Sequence, residues 1–357
     1  MRKRILFSLI ALLMVIMTAC SSASTGNKST GNESTGNKSS GENTGGGEVI
    51  ELNYAFFAPA GTFPAVQMEK WAEELEKRTN GKVNVNTFPG GTLLTAENMY
   101  DGVANGLADI GLSSTTYEPG RFPLLAISDM PSGYPNAKVA SKAIADLVNE
   151  YPPDALKDFK IITTFASEPA YIQSQKPIES LEDLKGKQLR ISGATTDLFK
   201  ELGASPVGMS QSEVAEALQT GIVNGYVSSR EVLKDMKYAE MVKYVTDYPL
   251  TINTFVAVMN KSKWDSLPED VKKVIDELNA EMTTFTGDYL DTYVGEVLKW
   301  SGDEHGIQTV ALKDKEKWAE IGSKLQQDAV KKAEEAGLPG QEYHNRLKEL
   351  VEKYSQE

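Results

Sequence analysis

Apolar and polar positions along the chain alternate between the periods of strands and helices from about residue 50 onward. Residues 52–57 form an apolar run that predicts a strand, and residues 62–78 carry apolar side chains at helical spacing. Residues 83–87 alternate as a half-buried strand would, 95–106 predict a second helix and 109–113 a short strand. The order strand, helix, strand, helix, strand predicts an α/β fold.

Two Ser-x-x-Glu capping boxes predict where later helices begin. Residues 210–213 are expected to open a helix through Leu218, and residues 266–269 a long one with Pro268 in its first turn. Helical periodicity then runs to about Trp300, which gives a length of roughly 50 Å at 1.5 Å per residue. Such a helix exceeds one small domain and is expected to brace two.

The alternating units predict a mostly parallel sheet covered on both faces by helices. Ligands of such folds bind beyond the carboxyl ends of the strands, near the first turns of helices. Residues 314–356 are charged and helical in pattern, and they predict a C-terminal pair of solvent-exposed helices. The candidate site is therefore expected in the α/β part of the chain.

The N-terminus has the pattern of an export signal. Residues 2–4 are basic and residues 5–17 form an apolar run that is short for a membrane span. The segment 17–20, Met-Thr-Ala-Cys, resembles the lipobox of bacterial lipoproteins, which predicts removal of residues 1–19 and lipidation of Cys20. The alternative is a plain secretory signal with an incidental cysteine. Residues 20–48 repeat Ser-Thr-Gly-Asn units, a composition that predicts a disordered tether.

Composition excludes several classes of function. The 357 residues suffice for about two domains. A net charge of −13 argues against a nucleic-acid partner. With two histidines and one cysteine, neither a His/Cys zinc site nor an internal disulfide is expected. No P-loop, nucleophile elbow or dinucleotide fingerprint occurs in the sequence, so neither a catalytic constellation nor a cofactor is expected.

One long region carries a recognisable order of short motifs. Residues 181–191 read LEDLKGKQLRI, residues 202–209 read LGASPVGM, and 212–225 contain SEV, ALQTG and VNG. The segments 77–89 and 106–110 continue the pattern upstream, and Asn260 with residues 264–268 continues it downstream. Together they resemble the solute-binding proteins of tripartite ATP-independent periplasmic (TRAP) transporters, the DctP-like family. The resemblance spans essentially the whole folded part of the chain.

This resemblance implies a two-domain periplasmic-binding-protein fold of type II with a long helix bracing both domains. The expected first domain comprises residues 49–167 and about 251–297. The second comprises residues 168–250 and about 298–330, and residues 331–357 form a helical extension. The two domains are expected to close over a ligand like a hinge.

The resemblance also implies the binding residues. In the family, the arginine in the strand after the Leu-Lys-Gly turn pairs with the substrate's carboxylate, and here it is Arg190. A guanidinium suits that role because its planar fork of donors holds a carboxylate bidentately. The position of a frequent second arginine falls on Ala170. Arg121 could supply a second positive group, although a structural role in its loop is favoured.

The remaining expected positions have lost charge and gained aromatic surface relative to the family pattern. Aromatic residues are expected to line the apolar part of the site, and hydroxyl groups to offer hydrogen bonds. The expected ligand is an organic carboxylate, with one carboxylate and an apolar or aromatic body, rather than a sugar acid or a dicarboxylate. The residues concerned are Phe57, Tyr117 and Tyr226 for the apolar part, and Ser114, Ser228 and Thr254 for the hydrogen bonds.

The function implied is capture of this carboxylate outside the cytoplasmic membrane and its delivery to the permease subunits of a TRAP transporter. A lipid on Cys20 would anchor the protein to the outer face of the cell membrane. Two alternatives stay open at this point. One is a binding protein that serves a sensor or another class of transporter. The other, less favoured, is an extracellular enzyme that acts on small organic acids and would need a general base near Arg190.

Overall fold

A computed structural model describes residues 49–357 of the chain. The expected signal peptide, Cys20 and the Ser/Thr/Gly/Asn tether lie outside the described residues. No helix within residues 49–357 is long and apolar enough to cross a membrane.

Eleven strands of the described part form two separate sheets. The first sheet contains β1 (Ile50–Phe56), β2 (Val83–Phe88), β3 (Ile110–Ser114), β4 (Phe159–Ala166) and β10 (Thr254–Asn260). The second contains β5 (Tyr171–Ser174), β6 (Gln188–Ile191), β7 (Ser205–Gly208), β8 (Gly225–Ser228), β9 (Tyr244–Asp247) and β11 (Gln308–Ala311).

Both sheets are mixed rather than mostly parallel. The first has the order β2-β1-β3-β10-β4, in which β1 pairs in parallel with β2 and β3 while β10 runs antiparallel to β3 and β4. The second has the order β11-β9-β5-β8-β6-β7, in which β5 runs antiparallel to both of its neighbours.

Twelve α-helices cover the sheets in the described part of the chain. They are α1 (Phe63–Arg78), α2 (Met99–Ala104), α3 (Pro123–Asp129), α4 (Ala137–Glu150), α5 (Leu181–Leu184), α6 (Thr196–Glu201), α7 (Val214–Gln219), α8 (Val232–Asp235), α9 (Lys261–Ser266), α10 (Glu269–His305), α11 (Lys315–Glu335) and α12 (Gly340–Ser355). Single 3₁₀ turns occupy Thr115–Tyr117, Asp154–Leu156, Gln211–Glu213 and Tyr238–Glu240.

The second expected helix is shorter than the sequence pattern suggests. Helix α2 begins at Met99 instead of residue 95. The side-chain oxygen of Asn98 accepts a hydrogen bond from the Thr95 backbone N–H at 2.7 Å. This local bond holds residues 95–98 in a turn, and the helix starts only after it.

The first of the two expected capping boxes is confirmed and the second is wrong. The Ser210 side chain and the Glu213 side chain each bond the other residue's backbone N–H, and helix α7 follows this turn. The Ser266 hydroxyl instead donates to the carbonyl of Lys263, because Ser266 ends the short helix α9. Helix α10 begins at Glu269 with Pro268 as its N-cap, one position before the first turn.

Helix α10 has 37 residues and contacts elements on both sheets. It packs on α1, α4 and β4 of the first sheet and on α8 beside the second. At 1.5 Å per residue it is about 55 Å long, which matches the expectation of a single helix that braces both halves.

The C-terminal helices α11 and α12 are amphipathic and not simply solvent-exposed. They bury one large aromatic residue each, Trp318 in α11 and Tyr343 in α12. Helix α12 packs against α4, and both helices pack against α3. Their charged residues face solvent while the apolar stripe joins the cores of the body.

Candidate ligand-binding site

A cavity lies where residues from both sheets meet. Residues at the carboxyl ends of β1, β3 and β8 reach it, and so does the amino end of β10, because that strand runs in the opposite direction. The first turn of α1 and the helix α8 complete the walls. The lining residues are Phe56, Phe57, Ala58, Thr62, Phe63, Pro64, Ser114, Tyr117, Ser167, Gln211, Ser228, Ser229, Glu231, Val232, Asp235, Met236, Asn253 and Phe255.

Arg190 lies directly behind this lining, in β6, with 1% of its surface exposed. Its Nε donates to the Met209 carbonyl at 3.0 Å, and its Nη1 donates to Gln211 Oε1 at 2.6 Å. Its Nη2 donates to the Tyr117 hydroxyl at 3.1 Å. A guanidinium has five N–H donors, so two remain beyond these three bonds.

Arg190 differs from the other arginines of the described residues in having no carboxylate partner. Arg78 and Arg346 form ion pairs at the surface, and Arg121 pairs with Asp101 and Glu118. Arg230, which lies between two lining residues, pairs with Glu168 at 2.7 Å. A buried cation without a counter-ion is costly, because transfer out of water is offset only by an opposite charge and hydrogen bonds.

Two further hydrogen-bond donors lie beside this guanidinium. The Tyr117 oxygen accepts from Arg190 and also from the Gln211 backbone N–H at 3.2 Å. Since both bonds use the oxygen as an acceptor, the hydroxyl proton is available to donate. The Gln211 Nε2 is buried and has no partner among the residues described. This wall of the cavity therefore presents donors that suit an anion.

Aromatic rings form much of the remaining lining. The rings of Phe57 and Tyr117 meet edge to face with centroids 5.1 Å apart, and those of Phe63 and Phe255 do so at 5.5 Å. Phe255 also stacks on Phe165 at 5.4 Å. Edge-to-face and offset contacts of this kind hold the rings in fixed orientations. The result is an apolar wall next to the donor group.

Two acidic side chains line a different wall. Glu231 is 2% exposed, and burial raises the pKa of its carboxyl well above the usual range, with the nearby charges of Glu168 and Asp235 adding to the effect. Burial raises the pKa of Asp235 to about 6, against the opposing effects of a hydrogen bond from Tyr293 and the charge of Lys234. Burial therefore disfavours the charged form of both carboxyls.

Four of the seven expected ligand-binding residues line the cavity: Phe57, Ser114, Tyr117 and Ser228. Arg190 stands one contact behind them, bonded to Tyr117 and Gln211. The structure therefore brings five of the expected residues together.

Tyr226 and Thr254 do not line the cavity, contrary to expectation. Tyr226 is fully buried in the core beneath β8, where its ring packs on Tyr238 and its hydroxyl donates to Gln173 Oε1 at 2.8 Å. Thr254 is buried and donates to Asp129 Oδ1 at 2.8 Å. Since side chains alternate along a strand, Thr254 points away from the face that its neighbours Asn253 and Phe255 present.

Several lining residues were not predicted from the sequence. Gln211 stands inside the recognised capping box, so its place next to the family's motif was a usable signal. Glu231 and Asp235 offered none, because the chain has 50 acidic residues and any spacing of them occurs by chance. Asn253 lies in the segment before β10, where apolar and polar residues follow no regular spacing that would single it out.

Comparison with known proteins places the chain among binding proteins. Residues 55–336 match the family model DctP, bacterial extracellular solute-binding protein, family 7. A TRAP periplasmic solute-binding protein of Desulfovibrio salexigens is 43% identical in sequence, with a TM-score of 0.77 over 85% of this chain and 96% of that one.

A marine-metagenome TRAP solute-binding protein specific for aromatic acid ligands, solved with metahydroxyphenylacetate, is 28% identical. It superposes with a TM-score of 0.81 over 85% of this chain and 99% of that one. These structures confirm the expected α/β fold with its long helix.

Curated relatives are more distant. The Escherichia coli 2,3-diketo-L-gulonate-binding periplasmic protein YiaO is 25% identical over 59% of this chain and 66% of its own length. The solute-binding protein RD1_1052 of Roseobacter denitrificans is 26% identical over 58% and 65%. The alignments thus span just under two thirds of these two relatives. The family model and these relatives describe solute-binding proteins and not enzymes. The chain belongs to the DctP family of bacterial extracellular solute-binding proteins.

Proposed function

We propose that this protein binds an organic monocarboxylate with an aromatic or apolar body and delivers it to a TRAP-type transporter. The observation that carries the proposal is Arg190, a buried guanidinium with no carboxylate partner in the described residues and with two N–H donors to spare. A bound carboxylate would supply the missing negative charge. The Tyr117 hydroxyl and the Gln211 amide would complete its hydrogen bonds.

The shape and chemistry of the cavity support the choice of an aromatic acid. Rings of Phe57, Phe63 and Phe255 form walls that exclude water, and Arg230 is already neutralised by Glu168. The cavity therefore offers one free cationic group rather than the two that a dicarboxylate would use. A relative with 28% identity binds metahydroxyphenylacetate, and its 29%-identical counterpart structure holds 3-hydroxybenzoate.

Closure of two domains around the ligand is part of the proposal. We propose that residues 49–167 and about 251–297 move against residues 168–250 and about 298–330, with residues 331–357 as a C-terminal helical extension. Tyr117 follows β3 of the first sheet, whereas Arg190 lies in β6 and Gln211 follows β7 of the second sheet. Bonds between them would form as the halves close, and a ligand that bridges them would favour the closed state.

The proposed place of action is outside the cytoplasmic membrane. Family membership supports an extracytoplasmic role, and we propose that a lipid on Cys20 anchors the chain to the outer face of the cell membrane. Expression in a bacterial host tests the anchor. The full chain should partition with membranes and carry the added mass of acyl chains, whereas Cys20→Ser should carry neither. An unmodified Cys20 in the processed protein would contradict the anchor but not the binding function.

A panel of small acids tests the binding function. Benzoate and phenylacetate should raise the melting temperature more than succinate, gluconate or butyrate at equal concentration. At a ligand concentration one hundred times Kd, the stabilisation is about 2.7 kcal/mol, which amounts to several degrees. Preference for succinate or gluconate, or no response to any acid, would contradict the proposal.

A further inference from the structure

The walls of the cavity have opposite hydrogen-bonding character. The Gln211 Nε2 and the Tyr117 hydroxyl proton are donors beside Arg190. Glu231 and Asp235 place carboxyl oxygens on another wall. No contact joins Arg190 to either carboxyl among residues 49–357. A ligand that fills the cavity therefore meets donors with one part of its surface and carboxyl oxygens with another.

Each of the two carboxyls has one oxygen satisfied by protein and one without a partner. Glu231 Oε1 accepts from the Ser229 hydroxyl at 2.6 Å, and Asp235 Oδ1 accepts from the Tyr293 hydroxyl at 2.6 Å. Glu231 Oε2 and Asp235 Oδ2 are buried and have no hydrogen-bond partner within the described part of the chain. Buried polar atoms are nearly always bonded, so two orphans on one cavity wall call for an explanation.

The surrounding groups hold these carboxyls in place. Ser229 and Tyr293 fix the two satisfied oxygens, while Glu231 precedes the short helix α8 and Asp235 is its last residue. The other groups that act on them are Glu168, which Arg230 neutralises, Lys234, and the backbone N–H of Phe63, which lowers the pKa of Asp235. Neither Glu168 nor Lys234 supplies a hydrogen bond to the orphan oxygens. The arrangement is built to accept a donor from inside the cavity.

We infer that Glu231 and Asp235 form a second polar subsite, which selects ligands that carry a hydroxyl or amino donor on the body away from the carboxylate. The inference rests on the proposed binding of an aromatic monocarboxylate and adds to it the substituent and the residues that read it. Sites built to bond a substrate hydroxyl reject analogues that lack it, because the buried protein group is then left unpaired.

Calorimetry with matched ligands tests the subsite. The probes are phenylacetate, its 3- and 4-hydroxy and 3- and 4-amino derivatives, and the methyl ethers of the two hydroxy acids. At least one donor-bearing acid should bind about tenfold or more tightly than phenylacetate. If that acid carries a hydroxyl group, its methyl ether should bind no more tightly than phenylacetate. If it carries an amino group, phenylacetate itself is the comparison. Hydroxy and amino isomers then show which donor the subsite takes.

Two variants tie the preference to these residues. In Glu231→Leu the preference for a donor-bearing acid over phenylacetate should fall to about twofold or less. That variant also leaves the Ser229 hydroxyl without its acceptor, so its melting temperature is measured beside that of the wild type to check that it folds. Asp235→Asn keeps an acceptor for the Tyr293 hydroxyl, so this variant is expected to fold. It should lower the preference for donor-bearing acids over phenylacetate by about threefold or more.

The outcomes separate this inference from the function beneath it. If phenylacetate binds and no donor-bearing acid binds more tightly, the subsite is wrong while the proposed function stands. If both variants keep the wild-type preference, the subsite is likewise wrong. If none of the acids binds, the proposed ligand class and the subsite are both overturned.

Discussion

Arg190 Nη2 and the hydroxyl oxygen of Tyr117 lie 3.1 Å apart and join the two sheets at the edge of the cavity. Arg190 belongs to β6 of the second sheet, and Tyr117 ends the 3₁₀ turn that follows β3 of the first. The bond leaves the tyrosine proton and two guanidinium N–H groups for other partners. One contact thus couples the relative position of the two sheets to the donors offered to a ligand.

Replacement of Arg190 should abolish most binding of aromatic acids. Arg190→Ala removes one partner of a desolvated ion pair, a loss of about 3–5 kcal/mol or roughly a hundredfold or more in Kd. Arg190→Lys should also lose about tenfold or more, because an ammonium keeps the charge but not the planar fork. Titration calorimetry with phenylacetate measures both.

Arg346→Ala is the matched control for this pair of variants. Arg346 pairs with Glu150 on the surface of the C-terminal helices and lies outside the cavity lining. The Arg346→Ala variant should have a Kd for phenylacetate within about twofold of the wild-type value, because exposed ion pairs contribute little. Near-wild-type affinity of Arg190→Ala for phenylacetate would show that Arg190 does not bind the carboxylate.

The Tyr117 hydroxyl should contribute to affinity separately from its ring. Tyr117→Phe keeps the edge-to-face contact with Phe57 but removes the acceptor for Arg190 and for the Gln211 backbone. We expect about a tenfold weaker Kd for phenylacetate, since a bond to a charged group contributes about 1.5–3 kcal/mol.

Tyr343→Phe controls for the general effect of losing a buried hydroxyl. Tyr343 bonds Ser128 beneath α12, outside the cavity lining. That variant should lower the melting temperature without changing Kd. A Tyr117→Phe protein that binds as tightly as wild type would show that the hydroxyl is not used by the ligand.

Asp129 should make the stability of the protein depend on pH. Burial raises the pKa of its carboxyl to about 7, against hydrogen bonds from Thr254 that lower it. The pKa is raised above the unfolded value of 3.8, so the native state favours the protonated form. Its contribution to stability is fully present below about pH 4 and is lost as the pH rises to about 7. The difference corresponds to roughly 4 kcal/mol.

Asp129→Asn is the variant that isolates this effect. It keeps an oxygen that can accept from the Thr254 hydroxyl but does not ionise. Between pH 4 and pH 8 the free energy of unfolding should fall by several kcal/mol more in the wild type than in the variant. Urea unfolding at several pH values measures the difference. Parallel pH profiles for the two proteins would refute the assigned role of Asp129.

Two glycines of helix α10 should respond to alanine in opposite directions. A Cβ at Gly287 would lie 2.6 Å from the Lys138 Cα, because the start of α4 is held against α10 by hydrogen bonds that the Ala137 and Lys138 N–H groups donate to the Asp291 carboxylate. Gly287→Ala should cost about 1–3 kcal/mol. A Cβ at Gly295 meets nothing within 4 Å, so Gly295→Ala should stabilise by about 0.5–1 kcal/mol.

Chemical denaturation measures both alanine variants. Both variants replace glycine by alanine in the same helix, so helix propensity affects them equally. The difference between their free energies of unfolding therefore measures the close approach of α4. Equal effects at the two positions would mean that α4 does not pack tightly on this helix.

The local pattern of the chain was enough to predict most of the first sheet. The strand over 52–57 and the helix over 62–78 appear as β1 and α1, each within two residues at either end. These elements are long or strongly periodic, so local preferences and tertiary packing agree. The antiparallel entry of β10 was not predictable, because strand direction depends on which distant strands it joins.

The sequence predicted site residues where a family motif marked their positions. It failed where the direction of a strand side chain decides whether that residue lines the cavity. Resemblance to a family pattern pointed to Arg190 and Tyr117, which the structure places in contact. Tyr226 and Thr254 were misassigned because adjacency in sequence does not reveal whether a strand residue faces the cavity or the core. Gln211 and Asp235 reach the cavity through the three-dimensional placement of short turns and helices, which leaves no periodic trace in the sequence.

The most direct test of the central claim is a crystal structure of the protein with phenylacetate or a hydroxyphenylacetate bound. We predict one carboxylate oxygen or both within about 3 Å of the Arg190 guanidinium nitrogens, with the ring among Phe57, Phe63 and Phe255. A ligand whose carboxylate is held elsewhere, with Arg190 bonded to protein atoms alone, would contradict the account.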